Sequence, residues 1–304
     1  MKNKISIIST FYNAEQYLDQ SIQSVLKQTC QNINIEYILI NDCSTDNSLD
    51  VAKEKIKDFE KENFSVSILT TENNLGCGGA RKFGIEHATG DYFMFLDADD
   101  YYISPTFVSR AYKDITFNKA DIVEYGVLYN ELNGNSIYMT VKEKIVINNG
   151  EEGVYNIFKD NKIKFNVWSK IYTRAIVESF PYSDTRTYED IRTIPIWVKN
   201  ANKIVIMPNV EINYRASSNS IIREDGLKTR IGTITAMTEM CEVFKNNRHI
   251  IKALYGRAMI DLCAVLENKT SDDPGFNEIS KLNTKLLSYI YPDNYKEITF
   301  NLDD

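Results

Sequence analysis

The chain is poor in the residues that make staples, metal knots and membrane spans. Its five cysteines, Cys30, Cys43, Cys77, Cys241 and Cys263, are odd in number and include no Cys-x-x-Cys pair. That pattern argues against a disulfide framework or a zinc site and fits reduced cytosolic thiols. The two histidines, His87 on an expected helix and His249 after Asn246-Asn247-Arg248, read as structural or solvent-exposed side chains. No apolar run approaches the roughly 20 residues that cross a bilayer. The first one, Ile5 to Ser9, is too short for the core of a signal peptide, and no cleavage site follows it. The expected location is the cytoplasm, with peripheral attachment at the inner face of the membrane left open. Basic clusters are also missing. The 35 Lys and Arg are scattered among 42 Asp and Glu, for a formal net charge of -7, so nucleic acid is not an expected partner. There is no internal repeat and no low-complexity tract.

What is present is an ordinary globular composition, 43% hydrophobic and 25% charged over 304 residues, enough for one large domain or two small ones. Strand-like and helix-like runs alternate over the first part of the chain. Ile5 to Ser9 reads as a buried strand, and a helix follows with Tyr17, Leu18, Ile22, Val25 and Leu26 at helical spacing. Asn13 is its expected N-cap, with Gln16 completing a capping box. Tyr37 to Ile40, Val66 to Leu69 and Tyr92 to Leu96 are further strands; a helix opened by Ser44-Thr45-Asp46 and another around Ala80 to Ala88 lie between them. Such alternation implies right-handed crossovers, a mainly parallel sheet and ligands at the strands' carboxyl ends. Asn13, Asp42 and Asp97 fall at those ends. Beyond Asp121, strands are expected over Ile122 to Tyr129 and Ser136 to Ile147, around a turn at Asn133-Gly134-Asn135, and a short helix over Glu151 to Phe158. The chain from Gly226 to about Asn268 is mostly helical, and the polar remainder reads as a small helical cap or an interaction tail.

Several clusters could carry chemistry. Asp97-Ala98-Asp99-Asp100 closes an apolar strand, and carboxylates at i and i+2 of extended chain point the same way. Such a pair suits a hard divalent cation held together with diphosphate oxygens; the plain alternative is a solvated acidic turn. Asn74 to Arg81 is a glycine-rich run opening a helix, which favours anions; Arg81 in the first turn makes sense where it meets a phosphate. Asp42 could read a base edge, or belong to a simple capping turn. Glu189-Asp190 precedes an apolar helix and could be catalytic, or only a match to the helix dipole.

In combination these motifs resemble bacterial family 2 glycosyltransferases of the GT-A fold. Thr10-Phe11-Tyr12-Asn13, Asn41 to Asp46, Asn74 to Arg81 with Gly84, Ala88 to Tyr92 and Phe95 to Asp100 stand in the family's order and spacing. The resemblance is thinner over Trp168 to Tyr172, Glu189-Asp190 and Tyr214-Arg215 with Ser220. It implies an α/β, Rossmann-like catalytic domain with a mainly parallel central sheet over residues 1–223. Within it, 1–104 would bind the nucleotide-sugar and 105–223 the acceptor; 224–304 would form a smaller helical C-terminal region. It implies inverting transfer of a hexose or N-acetylhexosamine from a UDP-sugar to a hydroxyl of a glycan or glycoconjugate, such as a cell-surface polysaccharide or an adhesin glycan, aided by Mn²⁺ or Mg²⁺. Asp190 would be the base and Asp99 the metal ligand. Asp42, Tyr12, Thr10, Asn74, Asp97, Ala98, Arg81 and Arg215 would bind the nucleotide-sugar, with Trp168, Lys170 and Glu189 on the acceptor side. A second copy of the chain, through the C-terminal helices, or a membrane surface is a further partner to consider. Thr10 replaces the usual proline, Cys43 a glycine or aspartate, and Ser217 a histidine that can help bind metal or diphosphate. A nucleotidyltransferase would want glycine and lysine between Ser9 and Glu15, which has neither; a non-catalytic glycan- or nucleotide-binding module would not need Asp190.

Overall fold

The structure is a computed structural model that describes residues 3–29, 32–131, 134–216, 226–266 and 274–291. It divides into two compact units, 1–150 with 165–217 and 151–164 with 218–304.

The first unit is built on one sheet. Strands β1 (Lys4–Phe11), β2 (Asn34–Asn41), β3 (Phe64–Thr70) and β4 (Tyr92–Phe95) pair in parallel in the order β3-β2-β1-β4. Their β-branched and aromatic residues suit a sheet buried on both faces, and Ile5, Ile7, Tyr37, Leu39, Phe93 and Phe95 are fully buried. Helices α1 (Glu15–Leu26), α2 (Ser48–Ile56) and α3 (Gly76–His87) make the crossovers, and α3 packs on β1 and β2. After the two-residue strand β5 (Tyr101–Tyr102) and helix α4 (Phe107–Asn118), the sheet continues through β6 (Ile122–Asn130). The segment expected as one strand over 136–147 is two strands, β7 (Ser136–Met139) against β6 and β8 (Ile145–Ile147) against β10 (Ile204–Arg215).

Strand β9 (Lys170–Thr173) lies antiparallel between β4 and β6 and joins the two parallel sets. Its register sets Lys170 opposite Glu124, and the two form a buried ion pair at 3.4 Å. After α5 (Gly150–Phe158) and α6 (Arg174–Glu178), helix α7 (Glu189–Asn200) buries Trp197 against Phe95 and Tyr172. In the second unit α8 (Gly226–Val243) packs on α9 (Arg248–Leu266) and α10 (Pro274–Ile290), and Asn247 donates to Glu151 at 3.0 Å. Among the described residues no helix is long and apolar enough to cross a membrane.

Two local findings correct or explain sequence readings. Asn13 does not cap α1, whose N-cap is Ala14 without a side-chain bond. With φ at 49°, Asn13 instead reaches the loop after β2, accepting from the Thr45 N–H at 2.8 Å. The Ala88 to Asp91 run lies at the opposite end of the sheet from Asp97. There Glu36 accepts from Thr89 and Ser6, and Ser6 Oγ accepts the Gly90 N–H at 2.8 Å.

Gly84 seats α3 on the sheet. A Cβ there would sit 2.6 Å from Ile8 Cγ2 and 3.3 Å from Ile40 Cγ1. Gly84→Ala should therefore cost about 1–3 kcal/mol through overpacking. Both tryptophans, Trp168 and Trp197, belong to the first unit, so a denaturant titration read by tryptophan fluorescence should show a lower midpoint at unchanged slope.

Candidate active site

The chemistry-bearing residues gather where β1, β2 and β4 end. Asp42, directly after β2, is 3% exposed, and its carboxylate is engaged by the protein. Oδ1 accepts from Thr71 Oγ1 at 3.0 Å and from the Leu75 N–H at 2.8 Å; Oδ2 accepts the Gly76 N–H at 2.9 Å. The anion attracted by the N-terminus of α3 is thus Asp42 itself. Asn74 donates to the Asp42 carbonyl at 3.1 Å, and its own side-chain oxygen accepts from both guanidinium nitrogens of Arg186 at 2.7 Å. The glycines serve close packing. Gly76 has φ of +77° with Arg186 against it, and a Cβ on Gly78 would lie 2.3 Å from the Thr185 carbonyl.

Arg81, one turn further along α3, is the centre of the site. It is 3% exposed. One terminal nitrogen donates to Asp97 at 2.5 Å; the other donates to Glu189 and, at 3.2 Å, to the Tyr182 hydroxyl, and lies 3.5 Å from Asp190. Tyr182 in turn donates to Asp190 Oδ1 at 2.5 Å, and the Val167 N–H donates to Asp190 Oδ2 at 3.2 Å. The Asp190 side chain is 20% exposed. Burial, reinforced by Glu189 and opposed by Arg81 and the Tyr182 hydroxyl, pushes its pKa up to about 7.

The Asp97–Asp100 turn completes the edge. Ala98 is buried; burial and the neighbouring Asp97 charge push Asp99 up to about 6. Among the described residues, no other residue donates a hydrogen bond to the Asp99 carboxylate. Asp100 is fully buried; its Oδ1 accepts the Arg215 N–H at 3.0 Å, and its Oδ2 has no partner among the described residues. Burial, with Asp99 and Asp97 adding to it, raises its pKa well above the usual range. Arg215 also donates to the Asp99 carbonyl and, at 3.0 Å, to Gln20, with its guanidinium between the rings of Tyr17 and Tyr101.

Residues 6–184, well over half of the chain, match the family described as Glycosyl transferase family 2. The chain belongs to this family. Glycosyltransferase GlyG of Streptococcus pneumoniae is 30% identical over 233 residues, covering 74% of this chain and 75% of GlyG. GlyA of the same organism is 26% identical over 257 residues, which is 80% of this chain and only 35% of GlyA. In fold, the S. aureus TarS 1–349 structure in complex with UDP-GlcNAc matches with a TM-score of 0.71 at 18% identity, over 97% of this chain and 84% of that one. The fold is GT-A, and the protein is a glycosyltransferase.

Of the residues expected at the site of this glycosyltransferase, Asp42, Asn74, Arg81, Asp97, Ala98, Asp99, Glu189, Asp190 and Arg215 are brought into one network or loop cluster. Thr10 pairs with Ile40 at the end of β1, and Tyr12 beyond it is 48% exposed. Trp168 stacks on Tyr214 at 5.5 Å, and Tyr214 on Tyr129 at 5.2 Å. Three expectations need correction. Arg81 does not present a free cation to a diphosphate: its guanidinium is turned inward onto carboxylates. Lys170 is fully buried beside Glu124 and Asn166, out of an acceptor's reach. Glu189 faces Arg81 rather than an acceptor. Ser217 and Ser220 lie outside the described residues. No sequence motif marks Tyr182 or Arg186: one is an aromatic before a turn, the other an arginine in a polar loop.

Removing the arginine tests the network. Arg81→Met leaves Asp97, Glu189 and Asp190 facing one another without a cation, which should cost about 3–5 kcal/mol. The variant's carboxylates would have raised folded-state pKa values. The loss should therefore be largest at pH 8 and shrink toward pH 5, where they can protonate; denaturant midpoints at the two pH values measure it.

Proposed function

We propose that this family 2 glycosyltransferase moves a hexose or N-acetylhexosamine from a UDP-sugar to a hydroxyl of a glycan or glycoconjugate by a single inverting displacement. The carrying observation is the Arg81 network, which holds Asp190 beside the Asp97–Asp100 turn although the two lie far apart in sequence. A base on one side and acidic donor-side residues on the other is what a direct displacement requires. The UDP-GlcNAc bound by TarS supports the donor class; a cell-surface polysaccharide or glycoprotein glycan is the acceptor class we favour.

In this reading Asp190 Oδ2 takes the proton of the acceptor hydroxyl as its oxygen attacks the anomeric carbon and the bond to the diphosphate breaks. Asp42 Oδ2, with one protein donor, keeps a lone pair for the uracil N–H, and the exposed Tyr12 lines the base. Asp97 contacts ribose or donor sugar through the oxygen that Arg81 leaves over, and Arg215 faces the diphosphate. Hard carboxylate oxygens at Asp99, together with the unpartnered Asp100 Oδ2 behind it, fit a divalent cation such as Mn²⁺ or Mg²⁺. Among the described residues no three His, Cys, Asp or Glu are placed to hold one, so Asp99 would hold it jointly with diphosphate and water. When bound, the cation would offset charge on the departing diphosphate.

Turnover of a panel of nucleotide-sugars with Mn²⁺, Mg²⁺ or EDTA tests this. One UDP-sugar should react, only with metal. Its kcat/KM should fall as pH drops through about 7, the pKa to which burial pushes Asp190. Asp190→Asn should lose about 100-fold or more while still binding UDP. Failure of every nucleotide-sugar to bind or react would overturn the reading.

A further inference from the structure

Tyr182 stands outside every motif discussed above, yet its hydroxyl lies between Arg81 and Asp190. Arginine can only donate. Its N–H to the Tyr182 oxygen, at 3.2 Å, therefore makes that oxygen an acceptor, and the single hydroxyl proton is left to point at Asp190 Oδ1, 2.5 Å away. The direction of the chain Arg81 to Tyr182 to Asp190 is fixed by donor chemistry alone. Oδ1 is thereby committed as an acceptor. Oδ2 carries one N–H, from Val167 at 3.2 Å, and keeps a lone pair. The ring has its own support: Tyr182 is 3% exposed and packs on Phe95 and Trp197 at 6.2 and 5.6 Å between ring centres.

We propose that Tyr182 is a positioning residue for the transfer: its hydroxyl pins Oδ1 of Asp190 so that Oδ2 faces the acceptor hydroxyl as the unprotonated base atom. The proposal rests on the assignment of Asp190 as base. In the step, the acceptor O–H proton goes to Oδ2 and the acceptor oxygen lone pair forms the new bond to the anomeric carbon. The old carbon–oxygen bond breaks, and its electron pair leaves with the nucleoside diphosphate. Oδ1 keeps accepting from Tyr182 before and after, so the pin need not move. The charged and titratable groups facing Asp190 are Arg81 and Cys77 from α3, Asp97 at the end of β4, its neighbour Glu189, Tyr182 and, beneath, Tyr172. Of these, Arg81 and Tyr182 favour the ionised carboxylate.

Tyr182→Phe removes the hydroxyl and leaves the ring. One hydrogen bond to a charged group corresponds to about one pH unit or more. The apparent pKa on the acid limb of kcat/KM should therefore rise by that much. Most of the loss at pH 7 should be recovered at pH 9, with the affinity for UDP unchanged. A readout independent of turnover is the carboxyl ¹³C titration of Asp190, assigned by its absence in Asp190→Asn; it should shift upward in Tyr182→Phe by the same amount. If Tyr182→Phe does not fold, as judged by loss of UDP binding, fluorotyrosine at position 182 decides. Its more acidic hydroxyl should move the titration downward. An unmoved titration, or an equal loss at every pH, would overturn the proposal. If the titration moves but Asp190→Asn still transfers sugar, the pin stands and the base assignment falls.

Discussion

A buried guanidinium is an electrostatic liability, because desolvation opposes its charge. Arg81 is held there because Asp97, Glu189 and Asp190 converge on it with Tyr182, and because Asp42 neutralises the helix terminus beneath. Those partners come from the end of β4, the segment before α7 and the first turn of α7. The arginine therefore sets where the two sides of the site lie with respect to each other. Three carboxylates around one guanidinium still leave excess negative charge in a water-poor place. Burial, with that neighbouring charge adding to it, raises the pKa values of Asp190 and, in the nearby acidic turn, of Asp99. A site of this kind favours a proton or a cation.

In the glycine-rich run the N-terminus of α3 already has its anion. Glycines and a helix N-terminus suggest a phosphate cradle. Here the N–H groups of Leu75 and Gly76 are used by Asp42, while Gly76 and Gly78 admit the 183–186 loop at distances no Cβ would allow. The same residues tie the loop after β2 to the segment that leads into Glu189 and Asp190.

What was legible in the sequence was whatever depends on local pattern. The alternation of buried β-branched runs with helical stripes gave β1 to β4 in order, and it put Asn13, Asp42 and Asp97 at strand ends. What was not legible depends on partners distant in sequence. Lysines seldom bury fully unless paired; the partner of Lys170, Glu124, is on another strand, opposite it only because β9 runs antiparallel to β6. Asn13 has the chemistry of an N-cap, but the loop holding Thr45 offered it a different partner. Tyr182 carries no periodic signal, and only the three-dimensional position of Arg81 gives its hydroxyl a direction.

Strand β10 shows how the sheet delivers its last contribution. Its register against β6 slips between Ile206 and Val210 and again between Val210 and Ile212. The extra residues include Pro208, which has no N–H to place in a ladder. Gly126 on β6 makes room for the slip: a Cβ there would lie 2.6 Å from Thr140 Oγ1 and 3.1 Å from Val210 Cγ2. Irregularities of this kind re-aim the side chains beyond them. Past the slip, Tyr214 lies opposite Tyr129 and stacks on it, and Arg215 lies opposite Asn130 with its N–H on Asp100. A regular ladder would carry these residues one or more positions along the strand, turning alternate side chains to the other face. The bulge thus ties the end of β10 to the acidic turn, as the Arg81 network ties the start of α7 to it, and the Asp97–Asp100 turn is held from both sides.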